Sequence, residues 1–352
     1  MKLSTAKNIV KRAIKAQLDL AKNPDASESR AIVPYLQGKV GIGKSSTVHQ
    51  AAFELSKELG IKIYVQMISL AQYDPAEIAG WLLPNDDKTA MIRIKPDWLE
   101  PEGDYDVIVY FFDELPQAIV ANQNIAGQVF QEKRIGSFKL PVNSALVAAG
   151  NRTADRAGTN PIPSQLKDRL AFLNMTENLN DTVAHFIEKM INEKIVAFLA
   201  FKPDLLHQFN PDEDVFPTPR AWERVSEVLS WGLPALEERE TLNGIIGSVA
   251  TTEFYAFLAV YDVIPNIDDL IKNPMSAIIP DRADVVYAVC ASLGAKANPD
   301  NIGNIIKYIG RLDSDEYGAF VIKGAISKIP NPRQNKHLRE WAENGGGAEL
   351  LL

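Results

Sequence analysis

Residues 38–45 read Gly-Lys-Val-Gly-Ile-Gly-Lys-Ser, a match to G-x-x-x-x-G-K-[ST] that constrains the fold more than any other stretch of the chain. Such a loop grips phosphate when a strand delivers it and a helix leaves it. Both flanks comply, with an apolar run at 32–36 before it and a helical pattern at 46–59 after it. The glycines let backbone N–H groups turn inward around an anion, and the helix N-terminus adds positive potential. Lys44 is placed to reach the β- and γ-phosphates of a nucleotide, and the Ser45 hydroxyl to meet Mg2+. The expected nucleotide contacts are Gly38, Lys39, Val40, Gly41, Ile42, Gly43, Lys44, Ser45 and Ser46. Pro34 has no N–H for a sheet ladder, so the strand is expected to become regular only after it.

Further apolar runs at 61–68, 107–112 and 145–149 alternate with helical patterns. This is the signature of βαβ units around a parallel sheet buried on both faces. Beyond about residue 180 strand signals thin out, and helical patterns dominate at 182–201, 219–230 and 242–261. The expected fold is therefore α/β, a P-loop NTPase parallel sheet followed by an all-α lid. A length of 352 residues suits two domains. The divisions expected are 1–30 as an N-terminal helix and linker, 31–180 as the nucleotide-binding core, and 181–352 as the helical lid and C-terminal helices. The opening segment sets Ile9, Ile14 and Leu18 near helical spacing among Lys7, Lys11, Arg12 and Lys15, which reads as an amphipathic helix packed on the core. Residues 344–352, with three consecutive glycines, are expected to fray.

The run 107–112 ends in Asp113 and Glu114, at the sheet edge where open α/β folds bind ligands. Asp113 is placed to hold Mg2+ and Glu114 to orient and polarise an attacking water. On its own such a pair could equally be a solvent-facing strand end. The run 145–149 leads through Gly150 to Asn151, whose amide could bond a γ-phosphate or the lytic water. Alone, that Asn reads as a turn former.

Formal net charge is −8, with 45 acidic against 37 basic residues, which disfavours binding nucleic acid by counterion release. Cys290 is the single cysteine and the four histidines are scattered, so neither a disulfide nor a zinc-ligand spacing is present. With no stretch apolar enough for a membrane span and no secretory h-region at the start, a cytoplasmic location is expected.

In the order of these motifs the chain resembles the AAA+ ATPases, and within them the MoxR-like branch, over residues 31–221. Residues 38–45 look like Walker A, Asp113-Glu114 like Walker B and Asn151 like sensor 1. The segment 165–170 resembles the one carrying the arginine finger, which points to Arg169, with Arg156 as an alternative. Thr218-Pro219-Arg220-Ala221 resembles the start of the sensor 2 helix, giving Arg220 a role toward nucleotide. Residues 74–80 sit where this branch carries its helix 2 insertion, and 131–144 where it has the pre-sensor 1 hairpin. Trp81, Leu82, Trp98 and Phe138 in these segments could face a pore or a client, or simply pack on the sheet. Lys39 and Val40 depart from the small or proline residues usual in the loop, and a single arginine occupies the finger segment. The resemblance implies ATP and Mg2+ as cofactors and catalysis by Glu114, Asn151 and Arg169. It also implies a homo-oligomeric ring, usually hexameric, and a protein client, often one with a von Willebrand factor A domain. The alternative on the same fold is a nucleic-acid motor or loader.

Overall fold

Five parallel strands form the centre of the first half of the chain, and their burial explains why the sequence shows them as nearly unbroken apolar runs. In chain order the elements are α1 (Leu3–Ala21), β1 (Val33–Gln37), α2 (Lys44–Leu59), β2 (Ile63–Ser69) and α3 (Pro75–Ala79). They continue with β3 (Leu82–Pro84), β4 (Met91–Arg93), β5 (Val107–Asp113), α4 (Val120–Glu132), β6 (Arg134–Ile135) and β7 (Phe138–Lys139). The series closes with β8 (Ser144–Gly150), α5 (Ser164–Lys167) and β9 (Leu170–Asn174). In this computed structural model residues 1–22, 32–152, 158–210, 212–261 and 264–343 are described. The chain divides into two units, Met1–Glu177 and Asn178–Leu352.

The sheet order is β2-β5-β8-β1-β9, and every pairing in it is parallel. Every residue of β8 is buried, as expected for a central strand covered on both faces. One apolar layer gathers Tyr110, Phe112, Leu146, Phe130 and Trp98. The other gathers Val109, Phe111, Val147, Val48 and Leu55 together with α1. Alternate residues of β5 and β8 thus serve opposite layers, the period-2 rule of strands.

Pro34 lies inside β1 rather than before its regular part. Pairing with β9 starts at Val33, whereas pairing with β8 starts only at Tyr35. The fifth strand, β9, escaped the periodicity reading. It is a short edge strand in which Phe172 is exposed, and its apolar run, residues 170–173, is only four long.

Helix α1 packs Ala6, Val10, Ile14 and Leu18 into the core, while Ile9 lies at the margin of that face. Two of its basic residues pair with α2: Lys7 Nζ meets Glu54 at 2.5 Å and Lys11 Nζ meets Glu58 at 2.7 Å. Buried Gln17 donates to the carbonyls of Ile32 and Leu146 and accepts from the Leu146 N–H. Its amide closes backbone groups that burial would otherwise leave unpaired.

The excursion between β2 and β5 holds α3 and the antiparallel hairpin β3–β4, and a second hairpin, β6–β7, precedes β8. The two tryptophans differ. Trp98 is 2% exposed and packs on Tyr110 and Phe112, whereas Trp81 is 53% exposed, as Leu82 largely is. Phe138 is half-buried against the core.

The second unit is helical among its described residues: α6 (Leu179–Glu188), α7 (Glu193–Phe201), α8 (Pro219–Leu229), α9 (Ala235–Ile246) and α10 (Ser248–Tyr261). After these come α11 (Ile267–Lys272), α12 (Ala283–Lys296), α13 (Ile302–Ile309), α14 (Asp315–Ile326) and α15 (Lys336–Trp341). The molecule is thus an α/β unit built on a five-stranded parallel sheet, followed by a helical part. Two helical patterns expected to be continuous are broken. Asn192 caps α7 by accepting from the Lys194 N–H at 3.0 Å, which ends the run from 182. Gly247, at φ +81°, separates α9 from α10. The segment 344–352 lies outside the described residues.

Candidate nucleotide site

The loop after β1 takes its shape from its glycines. Gly41 and Gly43 have φ of +77° and +90°, a region that side chains with a Cβ disfavour. Gly38 is needed for space: a Cβ there would fall 2.4 Å from Ile42 Cδ1 and 3.0 Å from the Met175 carbonyl oxygen. Helix α2 starts directly behind this loop, and no side chain caps its N-terminus. Its first N–H groups are therefore free of a capping side chain at the point where an anion would sit.

Lys44 is 9% exposed, and its Nζ donates to the carbonyls of Gly38 at 3.0 Å and Lys39 at 2.8 Å. A third bond runs to Asn151 Oδ1 at 2.7 Å. The ammonium is thus held by polar oxygens with no carboxylate among these three, positioned for a stronger anionic acceptor. Ser45 Oγ donates to Asp113 Oδ2 at 2.5 Å. Asp113 ends β5, in register with Ser69 at the end of β2.

Glu114 leaves the strand with φ of +55°, a conformation that costs a non-glycine residue about 1–2 kcal/mol. Its N–H donates to Asp113 Oδ1 at 2.9 Å, and its carbonyl accepts from the Gln117 N–H at 2.9 Å. Ser69 Oγ donates to Glu114 Oε2 at 2.9 Å, holding the carboxylate at the sheet edge. The turn then packs Pro116 on Gly150, where a Cβ would lie 2.1 Å from Pro116 Cδ. This contact sets the Glu114 turn beside the end of β8 and hence beside Asn151.

Two hydrogen-bonded groups, Ser69–Glu114–Asp113–Ser45 and Lys44–Asn151, therefore adjoin where Lys44 and Ser45 follow each other in the chain, drawn from the ends of β2, β5 and β8 and the start of α2. Ser69 is the member that sequence reasoning missed; a serine ending an apolar run has no signature of its own. Lys39 meets Glu177 Oε1 at 2.6 Å, Ile42 is buried and Ser46 is exposed in the first turn of α2. Arg169, partly buried, donates through Nη1 to the Gly127 carbonyl on α4 at 2.7 Å. Arg220 is exposed near the start of α8 in the second unit, and Arg156 lies outside the described residues.

The donor set fits a nucleotide with Mg2+. Ser45 and Asp113 place a hydroxyl and a carboxylate together, hard oxygens of the kind Mg2+ takes alongside phosphate and water. Among the described residues no group of three or more His, Cys, Asp or Glu could hold a metal by itself. A metal at Ser45 and Asp113 would therefore depend on ligands supplied by the nucleotide. No described helix is long and apolar enough to cross a membrane.

No family model matches the sequence, and no curated protein matches it. Among solved structures, NtrX from Brucella abortus is similar at 14% identity, over 89% of this chain and 64% of that one, with a TM-score of 0.39. The RuvB Holliday junction branch migration motor of Thermotoga maritima is similar at 15% identity over 82% and 81% of the two chains, with a TM-score of 0.34. ORC1 of Aeropyrum pernix, solved with DNA, is similar at 11% identity over 74% and 71%, also with a TM-score of 0.34.

Proposed function

We propose that this chain is a Mg-dependent ATP hydrolase of the AAA+ type, similar to the MoxR-like branch, that works as a ring to remodel or activate a protein partner. The observation carrying this reading is the pair of adjoining hydrogen-bonded groups at the sheet edge, because together they set a lysine suited to phosphate, a hydroxyl–carboxylate pair suited to Mg2+ and a carboxylate suited to water activation in one place. Lys44 gives up bonds to carbonyl oxygens for the β- and γ-phosphates, a charge-assisted exchange. Ser45 and Asp113 would hold Mg2+, which would supply neutralisation of phosphate charge. Glu114, steadied by Ser69, accepts a hydrogen bond from the attacking water. As the water oxygen bonds to the γ-phosphorus, the bond from that phosphorus to the β–γ bridging oxygen breaks, and the water proton passes through Glu114 to the phosphate product. Asn151 orients the γ-phosphoryl or the water.

In a ring, Arg169 stabilises charge on a neighbour's γ-phosphoryl after exchanging its Gly127 bond for that contact, with Arg156 the other candidate. Arg220 acts toward nucleotide from the helical part. The client is a protein, with a von Willebrand factor A domain the class the resemblance suggests. A nucleic-acid motor is the weaker reading, since the net charge is −8 and two basic residues of α1 are paired with α2. Phosphate release from ATP, followed with Mg2+ and with EDTA, tests the hydrolase reading. Release that requires Mg2+ is expected; no release under either condition contradicts it.

A further inference from the structure

The last residue of β1 and the first two residues of the phosphate loop are tied to the segment that leaves β9. The Gln37 carbonyl accepts from the Met175 N–H at 2.7 Å. Gly38 packs so closely on Met175 that a Cβ would lie 3.0 Å from its carbonyl oxygen. Lys39 then reaches Glu177, Nζ to Oε1 at 2.6 Å, with the two side chains 31% and 33% exposed. The carbonyl of the same Lys39 accepts from Lys44 Nζ at 2.8 Å. A side chain anchored at one end thus fixes a peptide that touches the phosphate-binding lysine at the other. Glu177 is the last residue of the first unit, and Asn178 after it caps α6 by accepting from the Asp181 N–H at 3.0 Å.

We infer that Lys39 and Glu177 are a positioning pair for the phosphate loop, holding it to the exit from β9 in the shape that receives nucleotide. The inference rests on the reading of 38–45 as a nucleotide loop. It makes a claim of sign that charge alone reverses. Were Lys39 only a positive charge near the phosphates, removing Glu177 would release that charge and tighten binding. As an anchored pair, losing either partner loosens the loop and weakens binding. A partly exposed ion pair has a modest effect, so the change expected is about two- to fivefold.

The experiment is a Mg-ATP titration of the full chain with the parent, Glu177→Gln, Lys39→Met, the double variant, and the charge-reversed pair Lys39→Glu with Glu177→Lys. Thermal melting without nucleotide checks that each variant is folded. Both single variants should raise Kd, the double variant should be no worse than the weaker single, and the reversed pair should recover at least half of the loss. In turnover, KM should rise more than kcat falls for Glu177→Gln. Tighter or unchanged binding by Glu177→Gln, additive losses in the double variant, or no recovery on reversal would overturn the inference. Lys44→Ala in the same titration separates the two claims: if it binds as the parent does, the loop reading itself is wrong.

Discussion

Lys44 carries the most local of the claims. Lys44 is 9% exposed, and its ammonium, which donates to three oxygens, is the charge that the phosphates would meet. Lys44→Ala should therefore lower ATP affinity at least tenfold, since a charge-assisted bond is roughly twice as strong as a neutral one. The fold should remain, and a thermal shift assay with Mg-ATP checks both points: an undiminished nucleotide-induced shift would remove Lys44 from the site. The residues of this site were unequally legible. Lys44 and Ser45 stand inside a motif, and Asp113, Glu114 and Asn151 follow apolar runs, a position that marks them only together with that motif. Ser69 ends a run too, but a hydroxyl carries no expectation until register sets it beside Asp113. Glu177 lies 138 residues from Lys39, and nothing local links them.

At the scale of elements, central strands were readable because burial on both faces demands continuous apolar sequence. β9 was not, since its apolar run of residues 170–173 is only four long, too short for periodicity to tell strand from helix. The insertion between β2 and β5 shows the same limit in its two tryptophans, because composition cannot say which of them turns inward. Trp98 is buried against Tyr110 and Phe112 and donates from its indole N–H to the Ile78 carbonyl at 3.3 Å. Trp98→Ala should destabilise the first unit by about 3–5 kcal/mol, the usual cost of emptying a large aromatic site. Trp81→Ala should change stability by less than about 1 kcal/mol. Denaturant unfolding of both variants makes the comparison; equal losses would contradict the packing described for the insertion.

For the whole molecule, the proposed ring would make hydrolysis depend on neighbours. Arg169→Ala and Glu114→Gln should each be nearly inactive, yet their mixture should regain activity, because an intact Glu114 can face an intact Arg169 across one class of interface. Turnover across mixing ratios, with subunit exchange confirmed independently, reads this out. A flat response despite exchange would move the finger to another residue, Arg156 first. The account as a whole rests on Glu114 as the carboxylate that activates water, and comparing nucleotide affinity with turnover in Glu114→Gln tests it most directly. The amide keeps the shape and loses the charge, so Mg-ATP should bind within about threefold of the parent while turnover falls at least a hundredfold. Turnover equal to the parent, at equal affinity, would contradict it.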